Sequence, residues 1–172
     1  MATNSKVKIR YINNDPNLGI DYDWELIAKE YKKLGVPPEY DITEILPLGN
    51  EELKWYVLTS ERSVGKTTNV LLIGMVMHKL YGTVMQLIRH HIDKASYYET
   101  LFNTIIAYNK GQYIKKLTDG EYDTIKYHWK NFYYAKTEEN GKLVKSTLPF
   151  CVSLAADECY SLCSFYEAPL GD

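Results

Sequence analysis

Apolar and polar positions change rhythm several times along the chain. Val7-Lys8-Ile9-Arg10-Tyr11-Ile12 alternates residue by residue, which predicts a short strand or extended arm. Asp15-Pro16-Asn17 reads as a turn. Asp23 is placed to cap a helix running to about Lys33, with Trp24, Ile27, Ala28 and Tyr31 on one face. Leu34-Gly35-Val36-Pro37-Pro38 stops it, because glycine ends a helix readily and proline cannot continue one. Residues 36–50 read as a linker-like crossing. The pattern therefore divides the chain into an N-terminal extension or adaptor, 1–50, and a second region, 51–172.

The second region starts with Lys54-Trp55-Tyr56-Val57-Leu58-Thr59, a run rich in strand formers. Small and polar residues follow from Ser60 to Gly65. A helix is predicted from Lys66 to about Leu80, and its apolar residues cover most of its circumference, as in a buried helix. Tyr81-Gly82 ends it. Thr83–Ile88 reads as a second buried strand, with Arg89-His90-His91 at its carboxyl end. A second helix is predicted from about Asp93 to Tyr108, closed by Asn109-Lys110-Gly111. From Gln112 the pattern changes. Tyr122–Trp129 and Phe132–Lys136 are strand-like, Glu139-Asn140-Gly141-Lys142 signals a two-residue hairpin, and Leu143–Leu154 continues the meander. Strand, loop, helix, strand and helix, followed by an antiparallel hairpin insert, predict an α/β fold. Its form is a three-layer sandwich around a central, mainly parallel sheet, with a small N-terminal extension.

At 172 residues with 45% hydrophobic side chains, the chain is long and apolar enough to bury a core. Twenty basic against 22 acidic side chains exclude a whole-chain basic footprint, so any nucleic-acid contact must be local. Cys151, Cys159 and Cys163 form no CxxC pair and have no histidine nearby, which argues for reduced thiols rather than a zinc site. No run is long and apolar enough for a membrane span, and Met1–Lys8 lacks the apolar stretch of a signal peptide.

The residues Ser60–Thr67, SERSVGKT, match the phosphate-loop pattern GxxxxGK[ST] at its three chemically decisive places, Gly65, Lys66 and Thr67. A loop between a strand and a helix start can turn backbone N–H groups onto phosphate oxygens. Ser60, Glu61, Arg62, Ser63, Val64, Gly65, Lys66, Thr67 and Thr68 are thus the candidate nucleotide-binding residues. Gly65 keeps the backbone close, Lys66 reaches the terminal phosphates, and the Thr67 hydroxyl is a ligand for Mg²⁺. Ser60 departs from the pattern, which has glycine there; if that position needs a left-handed backbone, serine costs on the order of 1 kcal/mol. Arg62 is either a surface arginine or a second cation facing the phosphates.

With arginine in its third place, SERSVGKT resembles the genome-packaging (encapsidation) ATPases of small tailed phages, relatives of the large terminase motors. The resemblance spans about residues 53–170. Val84–His91, the helix at 93–108, the hairpin at 122–147, Val152-Ser153-Leu154 and Ser161-Leu162-Cys163-Ser164-Phe165 follow in the family's order. The resemblance implies ATP and Mg²⁺ as cofactors and a ring of identical subunits docked on a capsid portal or connector. It implies double-stranded DNA as the cargo and the host cytoplasm, at the viral procapsid, as the location. It also implies an acidic pair after an apolar strand, the Asp holding Mg²⁺ and the Glu polarising water. Asp157-Glu158 is the downstream candidate, with Asp157 as metal ligand and Glu158 as catalytic group beside Lys66 and Arg62. The other reading is that the chain stops short of the true acidic strand, because a Ser-Leu…Ser-x-x-Phe run precedes that strand in the family. Residues 146–172 hold no Lys or Arg, so a basic residue completing a neighbour's site would be Arg62, Arg89, a lysine of 110–130, or lie beyond this sequence.

Other constellations carry less. His90-His91 with Asp93 is a weak metal candidate, since adjacent histidines on a turn point apart. Arg89 faces either the nucleotide crevice or a structural salt bridge. Lys115, Lys116, Lys126 and Lys130, mixed with Tyr127, Trp129, Tyr133 and Tyr134, suit either a phosphate backbone or a half-exposed hairpin face. Two other function classes remain: a different phosphate-loop enzyme, such as a small-molecule kinase or GTPase, and a catalytically impaired nucleotide-binding module. The chain has no Asn-Lys-x-Asp for guanine and no arginine-rich lid.

Overall fold

The computed structural model describes residues 8–11, 18–21, 23–37, 65–89 and 100–155. It divides into two compact units, residues 1–76 and 77–172, with the division falling inside a helix. The expected boundary near residue 50 and the expected strand at 54–59 lie outside the described residues.

In the first unit, β1 (Lys8–Tyr11) pairs antiparallel with β2 (Leu18–Asp21), in register Ile9 to Ile20. Helix α1 (Trp24–Lys33) starts where the sequence places it: the Asp23 carboxylate accepts from the Leu26 N–H at 2.9 Å, satisfying one of the first-turn amides. Glu25 near the positive end and Lys32 and Lys33 near the negative end suit the helix dipole. Gly35, at φ +76°, closes the helix by donating to the Lys32 carbonyl at 3.1 Å. Ile27, Tyr31 and Leu34 are buried.

Helix α2 (Lys66–Tyr81) has the predicted span to within one residue, and Leu71, Leu72, Ile73, Met75 and Val76 are buried. Val70 is nevertheless exposed, so its apolar surround is incomplete.

The second unit holds a five-stranded mixed sheet: β3 (Met85–Arg89), β4 (Thr124–His128), β5 (Asn131–Thr137), β6 (Leu143–Lys145) and β7 (Cys151–Ala155). Its order is β3-β7-β5-β4, with β6 beside the far half of β5. Among the described strands only β3 and β7 are parallel, Met85 opposite Cys151 and Arg89 opposite Ala155; the other pairings are antiparallel. The described sheet is therefore mixed rather than mainly parallel. The predicted hairpin insert supplies its antiparallel part. β3 is also less buried than its apolar run suggests, with Ile88 57% exposed; within the described sheet it has one neighbour, β7.

Two short helices follow: α3 (Asn103–Ala107) falls within the helix expected to end at Tyr108, and α4 (Gln112–Leu117) lies beyond its expected stop. Residues 93–99 of that expected helix lie outside the described residues. Tyr113, Ile114 and Leu117 bury the inner face of α4, a helical spacing in a stretch to which the sequence reading assigns no element. The core is aromatic. Phe102 sits 4.8 Å from Phe132 and edge-on to Phe150 at 5.4 Å, and Tyr134 stacks on Phe150 at 4.4 Å. His78 joins this cluster 5.9 Å from Tyr134, and its Nδ1–H donates to the Thr83 carbonyl at 2.8 Å, tying the end of α2 to the turn before β3.

The two turns of β5 differ from the sequence reading. Asn140-Gly141 does not form a two-residue turn. Glu138 donates to the Lys142 carbonyl at 2.9 Å, which leaves a three-residue loop with Gly141 left-handed at φ +80°. The two-residue turn is at the other end, between His128 and Asn131. It is made by Trp129 and Lys130, at φ +50° and +65°.

Candidate nucleotide site at the start of α2

The described part of the phosphate-loop octapeptide is its end: Gly65, Lys66 and Thr67, followed by Thr68. Ser60, Glu61, Arg62, Ser63 and Val64 lie outside the described residues, as do Asp157 and Glu158. So do His90, His91 and Asp93, and Cys159 and Cys163. Arg89 is the last residue of β3.

Gly65 has φ +76°, a left-handed conformation that disfavours any residue with a Cβ. Its carbonyl accepts the first helical bond of α2, from the Asn69 N–H at 2.9 Å, so glycine occupies the cap position. A glycine cap has no side chain to satisfy the first amides of the helix. The first turn also contains no acidic side chain. The positive end of the helix dipole, with no acidic side chain in the first turn, suits an anion. Lys66 and Thr68 are half-buried and Thr67 is exposed. Lys66 would meet a terminal phosphate group, and the Thr67 hydroxyl would serve as a Mg²⁺ ligand.

Asn69 is the residue that the sequence reading missed. It is buried, and it fixes Gly65 from below: its Nδ2 donates to the Gly65 carbonyl at 2.9 Å, and its Oδ1 accepts from the Tyr31 hydroxyl of α1 at 2.5 Å. A polar amide buried on an otherwise apolar helix must find such partners. A lone asparagine between Thr68 and Val70 was the available signal.

Of the basic and aromatic residues singled out in the sequence, Lys115 and Lys116 lie exposed on α4. Lys126, Trp129 and Lys130 are exposed on the β4–β5 hairpin, Tyr133 is half-buried and Tyr134 is buried. The Tyr134 hydroxyl has no hydrogen-bond partner, and burial, with the nearby Cys151, pushes its pKa up. Burial pushes the Cys151 thiol up to about 12, so it is an inert core thiol at neutral pH. Among the described residues no group of His, Cys, Asp or Glu is placed to hold a metal ion, and no helix is long and apolar enough to cross a membrane. No protein-family model, characterised protein or solved structure matches the chain.

Proposed function

We propose that the chain binds Mg²⁺-ATP at Ser60–Thr68 and hydrolyses it as the motor subunit of a DNA-packaging machine. The observation that carries this reading is the coincidence of sequence and backbone at one point. The Gly-Lys-Thr of SERSVGKT falls where a left-handed glycine opens a 16-residue helix whose first turn carries no acidic side chain. A coincidental strand-turn-helix would not need glycine at that position. Bound there, ATP would supply the phosphoanhydride bond. The chain would hold the phosphates with its amides and Lys66, orient Mg²⁺ through Thr67, and fix Gly65 through Asn69.

The packaging role rests on the arginine-containing octapeptide and on the order of elements after it. β3, a helical stretch, the β4–β5–β6 meander and β7 with Val152-Ser153-Leu154 follow in the sequence expected of packaging ATPases. In this role Asp157 would complete the Mg²⁺ shell and Glu158 would polarise water. Identical subunits would form a ring on the portal and drive double-stranded DNA into the capsid, in the host cytoplasm. The test is ATP turnover with and without duplex DNA. We expect hydrolysis stimulated by DNA, and a drop of roughly 100-fold or more in Lys66→Ala. Turnover in Lys66→Ala equal to that of the parent would overturn the reading.

A further inference from the structure

The β4–β5 hairpin is built to present side chains at a cost in backbone energy. Its turn residues, Trp129 and Lys130, are both left-handed, a conformation that Asn-Gly would adopt with far less strain. Trp129 is also 82% exposed, so burial does not repay the strain. Strain retained at an exposed aromatic side chain points to a use for it.

The turn is rigid. The Trp129 carbonyl accepts from Asn131 Nδ2 at 2.9 Å. The Lys130 carbonyl accepts from both the N–H and the hydroxyl of Ser153 in β7, at 2.7 and 3.0 Å. The His128 ring lies edge-on to the indole at 6.0 Å.

Strand alternation then defines the outer face. Ile125 and Tyr127 share a face with Tyr134 and Phe132, the core side. Lys126 and His128 stand opposite Tyr133 and Asn131 on the other face. Lys145 of β6, opposite Ala135, reaches that same face and places its ammonium 3.8 Å from the centre of the Tyr133 ring. Residues 124–137 contain three lysines and one histidine and no acidic residue, in a chain whose net charge is -2.

We infer that this face and its Trp129 tip bind single-stranded nucleic acid, with the indole stacking on an unpaired base and Lys126, Lys130 and Lys145 meeting the phosphates. Charge decides the class of partner. Interface cores are depleted in charged residues, whereas this tip is flanked in sequence by His128 and Lys130, with Lys126 on the same strand as His128. Stacking decides between strands, because a base offers its face only when unpaired. The inference is independent of nucleotide binding at Gly65–Lys66.

The test is fluorescence anisotropy of labelled 20-nucleotide oligothymidine and of a duplex of the same length, at low salt. We expect the single strand to bind more tightly than the duplex. Trp129→Ala should weaken single-strand binding about tenfold, and Lys126→Gln should lower the salt dependence by roughly 0.7 in log–log slope. Trp129-Lys130→Asn-Gly supplies the control for folding. It should raise the thermal midpoint by about 4 °C while weakening oligonucleotide binding, a combination that general damage to the fold cannot produce. Equal binding by Trp129→Ala and the parent, tighter binding of duplex, or no binding by the folded parent would each overturn the inference. So would loss of self-association, rather than of oligonucleotide binding, on changing Trp129.

Discussion

Gly65 and Lys130 are held by the same device. Each carbonyl belongs to a left-handed residue, and each accepts two hydrogen bonds from a single buried polar residue, one from its backbone N–H and one from its side chain. That residue is Asn69 in the first unit and Ser153 in the second, the two buried polar residues among those described. The difference lies in what occupies the left-handed position. At the start of α2 it is glycine, which withdraws the side chain. At the hairpin tip it is tryptophan and lysine, which put an aromatic ring and an ammonium outward and bear the strain. The two places thus use one kind of anchor with opposite residue choices.

Removing the anchors should separate the two regions. The largest effect is expected for Asn69→Ala. It removes the acceptor of the buried Tyr31 hydroxyl and one bond from the Gly65 carbonyl, for a loss of about 2–3 kcal/mol in urea unfolding. Adding Tyr31→Phe should recover about 1 kcal/mol of that; no recovery would mean that the Tyr31–Asn69 bond does not matter. Ser153→Ala should cost less, about 1 kcal/mol, because the Ser153 N–H still holds Lys130. A loss as large as that of Asn69→Ala would break the parallel.

The smallest effect is expected in the core beside the sheet. Tyr134→Phe removes a buried hydroxyl that has no partner, so it should change stability by less than about 1 kcal/mol, in the stabilising direction. Its signature is in alkali. Burial keeps Cys151 protonated from its ordinary 9.0 up to about 12 and raises Tyr134 above its ordinary 10.0. The unfolded chain therefore loses these protons first. The stability they contribute is complete below about pH 9 and falls as pH rises beyond it. Unfolding measured from pH 8 to 11 should show this decline, and Tyr134→Phe should make it shallower above pH 10. An unchanged slope would show that Tyr134 plays no part in it.

Features governed by local chemistry were legible in the sequence. α1 runs from its Asp23 cap to its Gly35 stop, and α2 begins at the lysine of the phosphate-loop pattern, because caps and glycine act within a few residues. Features set by distant partners were not. β2 is Leu-Gly-Ile-Asp, a poor strand sequence held by its pairing with β1. The Asn140-Gly141 signal was real, but the Glu138–Lys142 bond lengthened the loop by one residue. The Trp129-Lys130 turn was hidden because neither residue favours a left-handed backbone, and what holds it there is Ser153, 23 residues away. At the candidate site, spacing alone singled out Gly65, Lys66 and Thr67, whereas the buried role of Asn69 needed Tyr31, from another helix.

Titration of Mg²⁺-ATP into the chain by calorimetry, beside Lys66→Ala, tests whether the start of α2 receives a triphosphate. Saturable one-to-one binding in roughly the micromolar range, weakened tenfold or more in Lys66→Ala as expected for loss of a charge-assisted contact of about 1.5–3 kcal/mol, is the result predicted here. Absence of binding by the folded parent, or equal affinity in Lys66→Ala, would contradict it.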